Sequence, residues 1–132
     1  MRVTDVRIER FSAPLRQPFR VAFGTIESAD SWMVRVVTDE GFSGIGAAAP
    51  LPFVTGETMD TCYLVLRDLA RALVGADPLD VAGAHRVMDS VIFGNGSAKC
   101  ALDVALHDIC ARHRDLPLWR LLGGTDPVVV ND

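Results

Sequence analysis

The sequence is poor in lysine and lacks several short motifs that mark familiar catalytic sites. Of its 13 Lys and Arg residues, Lys99 is the only lysine. A reaction that uses two lysine bases therefore cannot be carried out by this chain alone. The sequence also contains no Gly-x-Ser-x-Gly motif for a nucleophilic serine and no Gly-Lys-Ser/Thr motif for a phosphate group. The residues themselves thus define no complete catalytic site.

The charge balance and the short apolar runs argue against further classes of function. The formal net charge is -4 at pH 7, whereas a nucleic-acid-binding domain needs a basic patch. No apolar stretch approaches the roughly 18 residues of a membrane span, and charged residues interrupt the N-terminus where a signal peptide would be apolar. We therefore expect no nucleic-acid partner, no membrane segment and a cytoplasmic location.

Cysteine and histidine are scarce, with three of each. The cysteines show no Cys-x-x-Cys spacing, which favours reduced thiols, and the apolar helical patterns around Cys62 and Cys100 predict buried ones. Asp103 and His107 stand four residues apart. This spacing favours a hydrogen bond or an ion pair on one helix face, because a metal site needs three or four converging ligands. We expect no metal ion to bind this chain.

The first third of the sequence predicts three β-strands. Apolar and charged residues alternate from about residue 3 to residue 12, as in a half-buried strand. A second strand is predicted at 31–38, followed by a turn and a glycine-rich third strand near 42–46. Glycine inside a strand often marks a place where another backbone comes close. The pattern favours an antiparallel sheet.

Two proline-containing segments interrupt these patterns. Residues 14–24 contain two prolines and a glycine, and residues 47–56 contain the same combination, so neither is predicted to form a regular element. Both nevertheless carry phenylalanine, at Phe19 and Phe23 in the first segment and at Phe53 in the second. These aromatic rings need a partner, which is either the domain's own core or a molecule that docks there.

After residue 55 the apolar period changes from two to about 3.6, which predicts helices. We predict helix N-caps at Thr55, Asp77 and Ser97, and a short fourth helix near residues 118–122. The third helix has a face of alanine and leucine side chains that predicts tight packing against a neighbour. Strands followed by helices indicate an α+β fold, in which a three-stranded antiparallel sheet precedes a bundle of three to four helices.

The third predicted helix and the segment after it carry a distinctive pattern. Residues 98–108 include an Ala-Leu-x-Asp core, and residues 116–124 contain Leu-Pro-Leu and Leu-Leu-Gly-Gly. The pattern resembles the end of the N-terminal capping domain of the enolase superfamily, of the mandelate racemase/muconate lactonizing enzyme type. Residues 54–58, Val-Thr-Gly-Glu-Thr, are similar to the dipeptide epimerases, which are isomerases. The resemblance covers residues 3–124.

The resemblance implies a capping domain at 1–124 and, at 125–132, the start of a linker or of the first strand of a C-terminal TIM-barrel domain. In full-length members the barrel supplies two lysine bases and the carboxylates that bind Mg²⁺, and the reaction removes a proton α to a carboxylate. A barrel needs roughly 250 residues. The resemblance therefore implies that this chain alone is inactive, that Mg²⁺ is bound by the barrel, and that the partners are that barrel and a small carboxylate such as a dipeptide. We also expect a homo-oligomer.

The resemblance assigns the two proline-containing segments as loops that close over the substrate and select it. The substrate-contacting residues that it implies are Phe19, Arg20, Phe23, Thr25, Phe53, Val54 and Thr55. The alternative is that the aromatic rings pack on the domain's own helices and that Arg20 is solvated. Gly24 and Thr25 stand where some epimerases carry a basic residue, which leaves the substrate open. Asp115 replaces a usual glycine, so we expect a left-handed backbone there.

Several alternatives remain open at this point. Within the same branch, the chain could be the lid of a muconate cycloisomerase, an o-succinylbenzoate synthase or an N-acylamino acid racemase. Outside enzymes, it could be a stand-alone binding or oligomerisation module, which would expose the surface that faces the barrel. It could also be a fragment with no function of its own.

Overall fold

In the computed structural model, which describes residues 1–22 and 24–128, a three-stranded sheet is followed by helices. The strands are β1 (Val3–Val21), β2 (Gly24–Thr38) and β3 (Ser43–Ala48), and they pair antiparallel in the order β1-β2-β3. The helices are α1 (Pro52–Thr55), α2 (Met59–Leu73), α3 (Val81–Val91), α4 (Gly96–His113) and α5 (Leu118–Leu121). The predicted α+β fold is confirmed. The predicted Val128-Val129-Val130 strand start lies largely outside the described residues.

The core lies between the sheet and α4. The small-residue face predicted for this helix is fully buried, at Ala98, Ala101, Leu102, Ala105, Leu106 and Ile109. The helix backbone comes so close to β3 that a Cβ atom added at Gly44 or Gly46 would collide with the carbonyl oxygen of Ala105 or Ala101. The close backbone approach predicted from the glycines of this strand is confirmed.

The first proline-containing segment is not irregular, and this prediction was wrong. β1 continues to Val21 and pairs with β2 up to the hairpin tip. The pairing jumps from Pro14 opposite Ser28 to Phe19 opposite Ile26, so the four residues between Pro14 and Phe19 face a single residue of β2. Prolines are tolerated here because β1 is an edge strand and the ladder is already interrupted at this irregularity.

All three helix N-caps were predicted a few residues too early or too late. The caps are Thr58, Asp80 and Asn95, in place of Thr55, Asp77 and Ser97. Thr55 and Asp77 are used in neighbouring turns, whereas the Ser97 hydroxyl donates to the distant Glu57. The Asp77 carboxylate, for example, accepts a hydrogen bond from the Leu79 amide at 2.9 Å. Such local bonds are typical of these residue types, so composition alone does not separate them from caps.

The three cysteines are free thiols, but their burial differs from the prediction. Cys62 is buried as predicted, and burial raises the pKa of its thiol to about 11. Cys100 is exposed because it lies about 200° around α4 from the buried Ala98, at 3.6 residues per turn. Cys110 is the second buried thiol.

Two further features of the structure relate to the predictions. Asp115 has φ of 53°, which confirms the left-handed conformation expected there. None of the helices in the described part of the chain has the length and apolar character needed to cross a bilayer.

Candidate functional site

The first loop, defined here as residues 14–25, forms the far end of the β1–β2 hairpin. Phe19 lies opposite Ile26, and Arg20 lies opposite Thr25. Neighbouring residues of a strand point to opposite faces, so Phe19 and Ile26 share one face of the ribbon while Arg20 and Thr25 share the other. Phe19 is 60% exposed, and Arg20 and Thr25 are also exposed. The predicted residue Phe23 lies outside the described residues.

The second loop, defined here as residues 47–58, leaves β3 and contains the single turn of α1. Phe53 is 73% exposed and Val54 is 68% exposed. With Phe19, these side chains form part of the apolar surface of the two loops, and more than half of the Phe19 and Phe53 surface is exposed. The Thr55 hydroxyl is already used within the loop, since it accepts a hydrogen bond from the Glu57 amide and donates one to the Leu51 carbonyl.

A groove of about 500 Å³ separates the far half of β2 from the second loop. Its lining residues are Thr25, Ile26, Glu27, Ser28, Ala29, Asp30, Ser31, Ala49, Pro50, Leu51, Pro52 and Met59. Of the predicted site residues, Thr25 is part of this lining. Phe53, Val54 and Thr55 are not, but they directly follow the lining residue Pro52 in the chain. The sequence prediction missed the contribution of β2, because the second strand was predicted to begin only at residue 31. The alternation of Ile26, Ser28 and Asp30 could have indicated a strand with one face toward the groove.

Asp30 is an ionised carboxylate in the groove lining. Hydrogen bonds from Ser28 and Ser12, together with the positive charge of Arg10, hold the pKa of its carboxyl below the ordinary value of 3.8. The Ser28 hydroxyl donates to Asp30 Oδ2 at 2.6 Å, and an Arg10 guanidinium nitrogen lies 3.7 Å from Oδ1. This arrangement gives the β2 side of the groove a fixed negative charge.

Hydrogen bonds hold the chain in place where the second loop ends and α2 begins, at Glu57 and at Met59. Trp32 Nε1 donates to the Met59 carbonyl oxygen at 2.8 Å, and the Trp32 ring lies 4.8 Å from the Tyr63 ring, centroid to centroid. The Glu57 carboxylate, which is buried, accepts hydrogen bonds from Ser97 at the start of α4. The loop that carries the exposed apolar side chains is therefore bound to the sheet and to a core helix.

The single lysine and the three histidines lie outside the groove lining. The Lys99 ammonium is held by the Asp89 carboxylate and the Ile92 carbonyl oxygen, each at 2.7 Å. Asp103 bonds to His85 at 2.6 Å and lies 3.3 Å from His107 Nδ1, so the i, i+4 pair makes the predicted polar contact on the helix face. Within residues 1–22 and 24–128, no group of three or more His, Cys, Asp or Glu side chains could hold a metal ion.

The chain matches the family model of the mandelate racemase/muconate lactonizing enzyme N-terminal domain over residues 3–123. It belongs to this family. The predicted membership of the enolase superfamily is thereby confirmed, and the fold agrees with it.

Similar proteins of known activity are dipeptide epimerases and a related racemase. The D-Ala-D/L-Ala epimerase of Cytophaga hutchinsonii is 35% identical over all of this chain and 36% of its own length. The hydrophobic dipeptide epimerase of Enterococcus faecalis is 36% identical over all of the chain and 37% of its own length. The N-succinyl-L-Arg/Lys racemase of Bacillus cereus is 34% identical over 94% of the chain and 34% of its own length.

Crystal structures of the two epimerases agree closely with this fold. The Cytophaga enzyme with Mg and D-Ala-L-Val superposes with a TM-score of 0.94, covering 98% of this chain and 35% of that one. The Enterococcus enzyme with Mg and L-Leu-L-Tyr gives 0.95, covering 100% of this chain and 37% of that one. The chain thus spans little more than a third of the length of the relatives that it matches.

Proposed function

We propose that this chain is the substrate-specificity lid of a Mg²⁺-dependent isomerase that epimerises dipeptides, and that it has no activity without a C-terminal barrel domain. The observation that carries the proposal is the groove between β2 and the second loop. Next to its lining residues, Phe19 (paired with Ile26), Phe53 and Val54 are exposed. Exposed apolar side chains on ordered segments indicate a surface that another molecule covers. The similarity to dipeptide epimerases supports a dipeptide as the molecule that covers this surface.

The lid acts by closing over the substrate. Phe53 and Val54 would contact the substrate's side chains from the second loop, and Phe19 would do so from the hairpin. Burial of these side chains removes water from the reacting groups and favours substrates with a matching apolar shape. Arg20 and Thr25, on the other ribbon face, would meet polar parts of the substrate or of the barrel.

The chemistry itself requires groups that this chain does not bring together. When bound, Mg²⁺ stabilises the negative charge that develops when the proton α to a carboxylate is removed. We propose that the ion is held by carboxylates of the barrel, and that residues 125–132 lead into that domain. Lys99 is engaged with Asp89 at the α3–α4 junction, away from the groove lining, and would not serve as a base.

A chimera tests the proposed function. The corresponding N-terminal part of the Enterococcus faecalis epimerase is replaced by this chain, since the two align over 132 residues. With Mg²⁺, we expect the chimera to epimerise dipeptides, with a substrate ranking that differs from that of the parent enzyme. A panel that includes N-succinyl amino acids distinguishes an epimerase lid from the lid of an N-acylamino acid racemase.

Variants of the chimera connect selectivity to the loops. We expect Phe53→Ala to lower kcat/KM for an apolar dipeptide on the order of tenfold or more, because contact with a buried Phe ring contributes about 1.5–3 kcal/mol. Phe11→Ala is the matched control, since Phe11 is 49% exposed on the same sheet but lies outside both loops. A folded chimera that is inactive, or one that keeps the parent's ranking, would contradict the proposed function.

A further inference from the structure

Glu57 is a buried carboxylate at the end of the second loop. It is 6% exposed, and both of its oxygens lie 3.2 Å from the Ser97 amide nitrogen. The Ser97 hydroxyl donates to Glu57 Oε2 at 2.6 Å. A buried ionised group is costly unless hydrogen bonds compensate for the lost water, so these bonds fix the position of Glu57 firmly.

The start of α4 needs the carboxylate that Glu57 brings. The first amides of a helix have no partner within the helix. The N-cap residue Asn95 is in the left-handed conformation with φ of 57°, and its side chain donates to the Phe93 carbonyl oxygen. The Glu57 carboxylate therefore satisfies the Ser97 amide in the first turn, where the helix dipole also favours a negative charge.

The same residue is joined to the exposed part of the second loop. The Glu57 amide donates to the Thr55 hydroxyl at 3.3 Å, and that hydroxyl donates to the Leu51 carbonyl oxygen at 3.2 Å. These bonds span the turn of α1, which carries Phe53 and Val54. Glu57 is thus bonded to the core helix α4 through its carboxylate and, through its amide, to the Thr55–Leu51 pair that flanks Phe53 and Val54.

We propose that Glu57 is a positioning residue, which fixes the second loop to the N-terminus of α4 and thereby sets the position of Phe53 and Val54 over the groove. The inference rests on the proposed lid function where it concerns the substrate. Its structural part, the attachment of the loop to α4, holds for this chain independently of any activity.

Amide hydrogen exchange of the 132-residue chain tests the structural part. We compare the wild type with Glu57→Ala and Glu57→Gln. Asp80→Ala is the matched control, because the Asp80 carboxylate likewise accepts from a first-turn amide, that of Gly83 in α3. We expect exchange in residues 52–58 and 97–99 to rise on the order of tenfold in Glu57→Ala, with a smaller rise in Glu57→Gln.

Amide exchange in the first loop and in the Asp80→Ala control shows whether the effect of Glu57 is specific to the second loop. Exchange in residues 14–25 should stay unchanged in all variants, and Asp80→Ala should affect α3 alone. If Glu57→Ala is unfolded by circular dichroism, Glu57→Gln decides the question in the same way. The proposal would be overturned if residues 52–58 of the Glu57 variants exchanged at the wild-type rate. It would also be overturned if these residues exchanged as fast in Asp80→Ala as in Glu57→Ala.

Kinetics of the chimera test the functional part. A positioning role predicts that Glu57→Gln changes the ratio of kcat/KM between two dipeptides with different side chains, whereas Asp80→Ala leaves this ratio unchanged. Equal losses for both dipeptides would indicate a merely structural role and would overturn the positioning role. An inactive wild-type chimera would contradict the proposed function, and the exchange measurement would then still decide whether Glu57 holds the loop.

Discussion

The first loop ends where the β2 side of the groove begins, and the second loop lines the opposite side, but different parts of the fold hold the two loops. The first loop extends the β1–β2 ladder, and Phe19, Arg20 and Thr25 are exposed on its two faces. The second loop is attached to α4 through Glu57, and Trp32 of the sheet binds Met59, the α2 residue that directly follows the loop. The difference is one of attachment, because backbone pairing holds the first loop and side-chain hydrogen bonds to a core helix hold the second.

The largest expected effect comes from the contact below the second loop. We expect Gly46→Ala to destabilise the fold by about 3 kcal/mol or more, because the added methyl group meets backbone atoms of Ala101 that have no room to move. Ala47→Val, at an exposed neighbouring position, should change stability by less than about 0.5 kcal/mol. Denaturant unfolding measures both, and an equal effect of the two would argue against close packing of β3 on α4.

A smaller loss is expected at the attachment of the second loop to the sheet. Trp32→Phe removes the hydrogen bond to the Met59 carbonyl oxygen and should cost about 1 kcal/mol. Exchange of the amides in the second loop should rise with it, while the first loop stays as in the wild type. Trp119→Phe is the control for loss of an indole. If amide exchange rose equally in both loops of Trp32→Phe, the two loops would not be held by different parts of the fold.

Truncation of the exposed phenylalanines should affect stability least among the packing changes. Phe19→Ala and Phe53→Ala should each cost less than about 1 kcal/mol in thermal unfolding, since the two rings are 60% and 73% exposed. A loss of 3 kcal/mol or more, on the order of that for a core phenylalanine, would show that the ring packs into the domain itself. In that case it would not be available to a substrate.

The smallest effect concerns the charge at the base of the first loop. The pKa of the Asp30 carboxyl is lower in the folded chain than its ordinary value of 3.8, mainly because Ser28 donates to it. The resulting stabilisation is present above this value and is lost as the pH falls through the folded pKa. We expect Asp30→Asn to flatten the pH dependence of unfolding slightly below about pH 4. An unchanged pH profile would contradict this.

The sequence predicted the parts of the fold that depend on repeated patterns. The buried face of α4 and the close approach at Gly44 and Gly46 follow from residue size and period, which act over many positions. The left-handed backbone at Asp115 was also predicted, from the glycine that the resemblance placed there. These features are set by local sequence and depend little on which distant element packs against them.

The features that were missed depend on long-range partners. Residues 14–24 were predicted to be irregular because they contain two prolines and a glycine, and only pairing across the ladder makes this segment regular. Thr55 was predicted as a helix cap, which would place Glu57 in the first turn of the same helix. The carboxylate instead binds Ser97, 40 residues away, which no local pattern indicates. The groove depends on both of these features, so its β2 side was not predicted.

The most direct test of the lid function is exchange of the α-proton of a dipeptide in D₂O, followed by NMR in the presence of Mg²⁺. With the 132-residue chain alone we expect no exchange above the uncatalysed rate, because its single lysine is held by Asp89. The same chain joined to the barrel of the Enterococcus faecalis enzyme should catalyse the exchange. Exchange by the chain alone, or none by a folded chimera, would contradict the proposal.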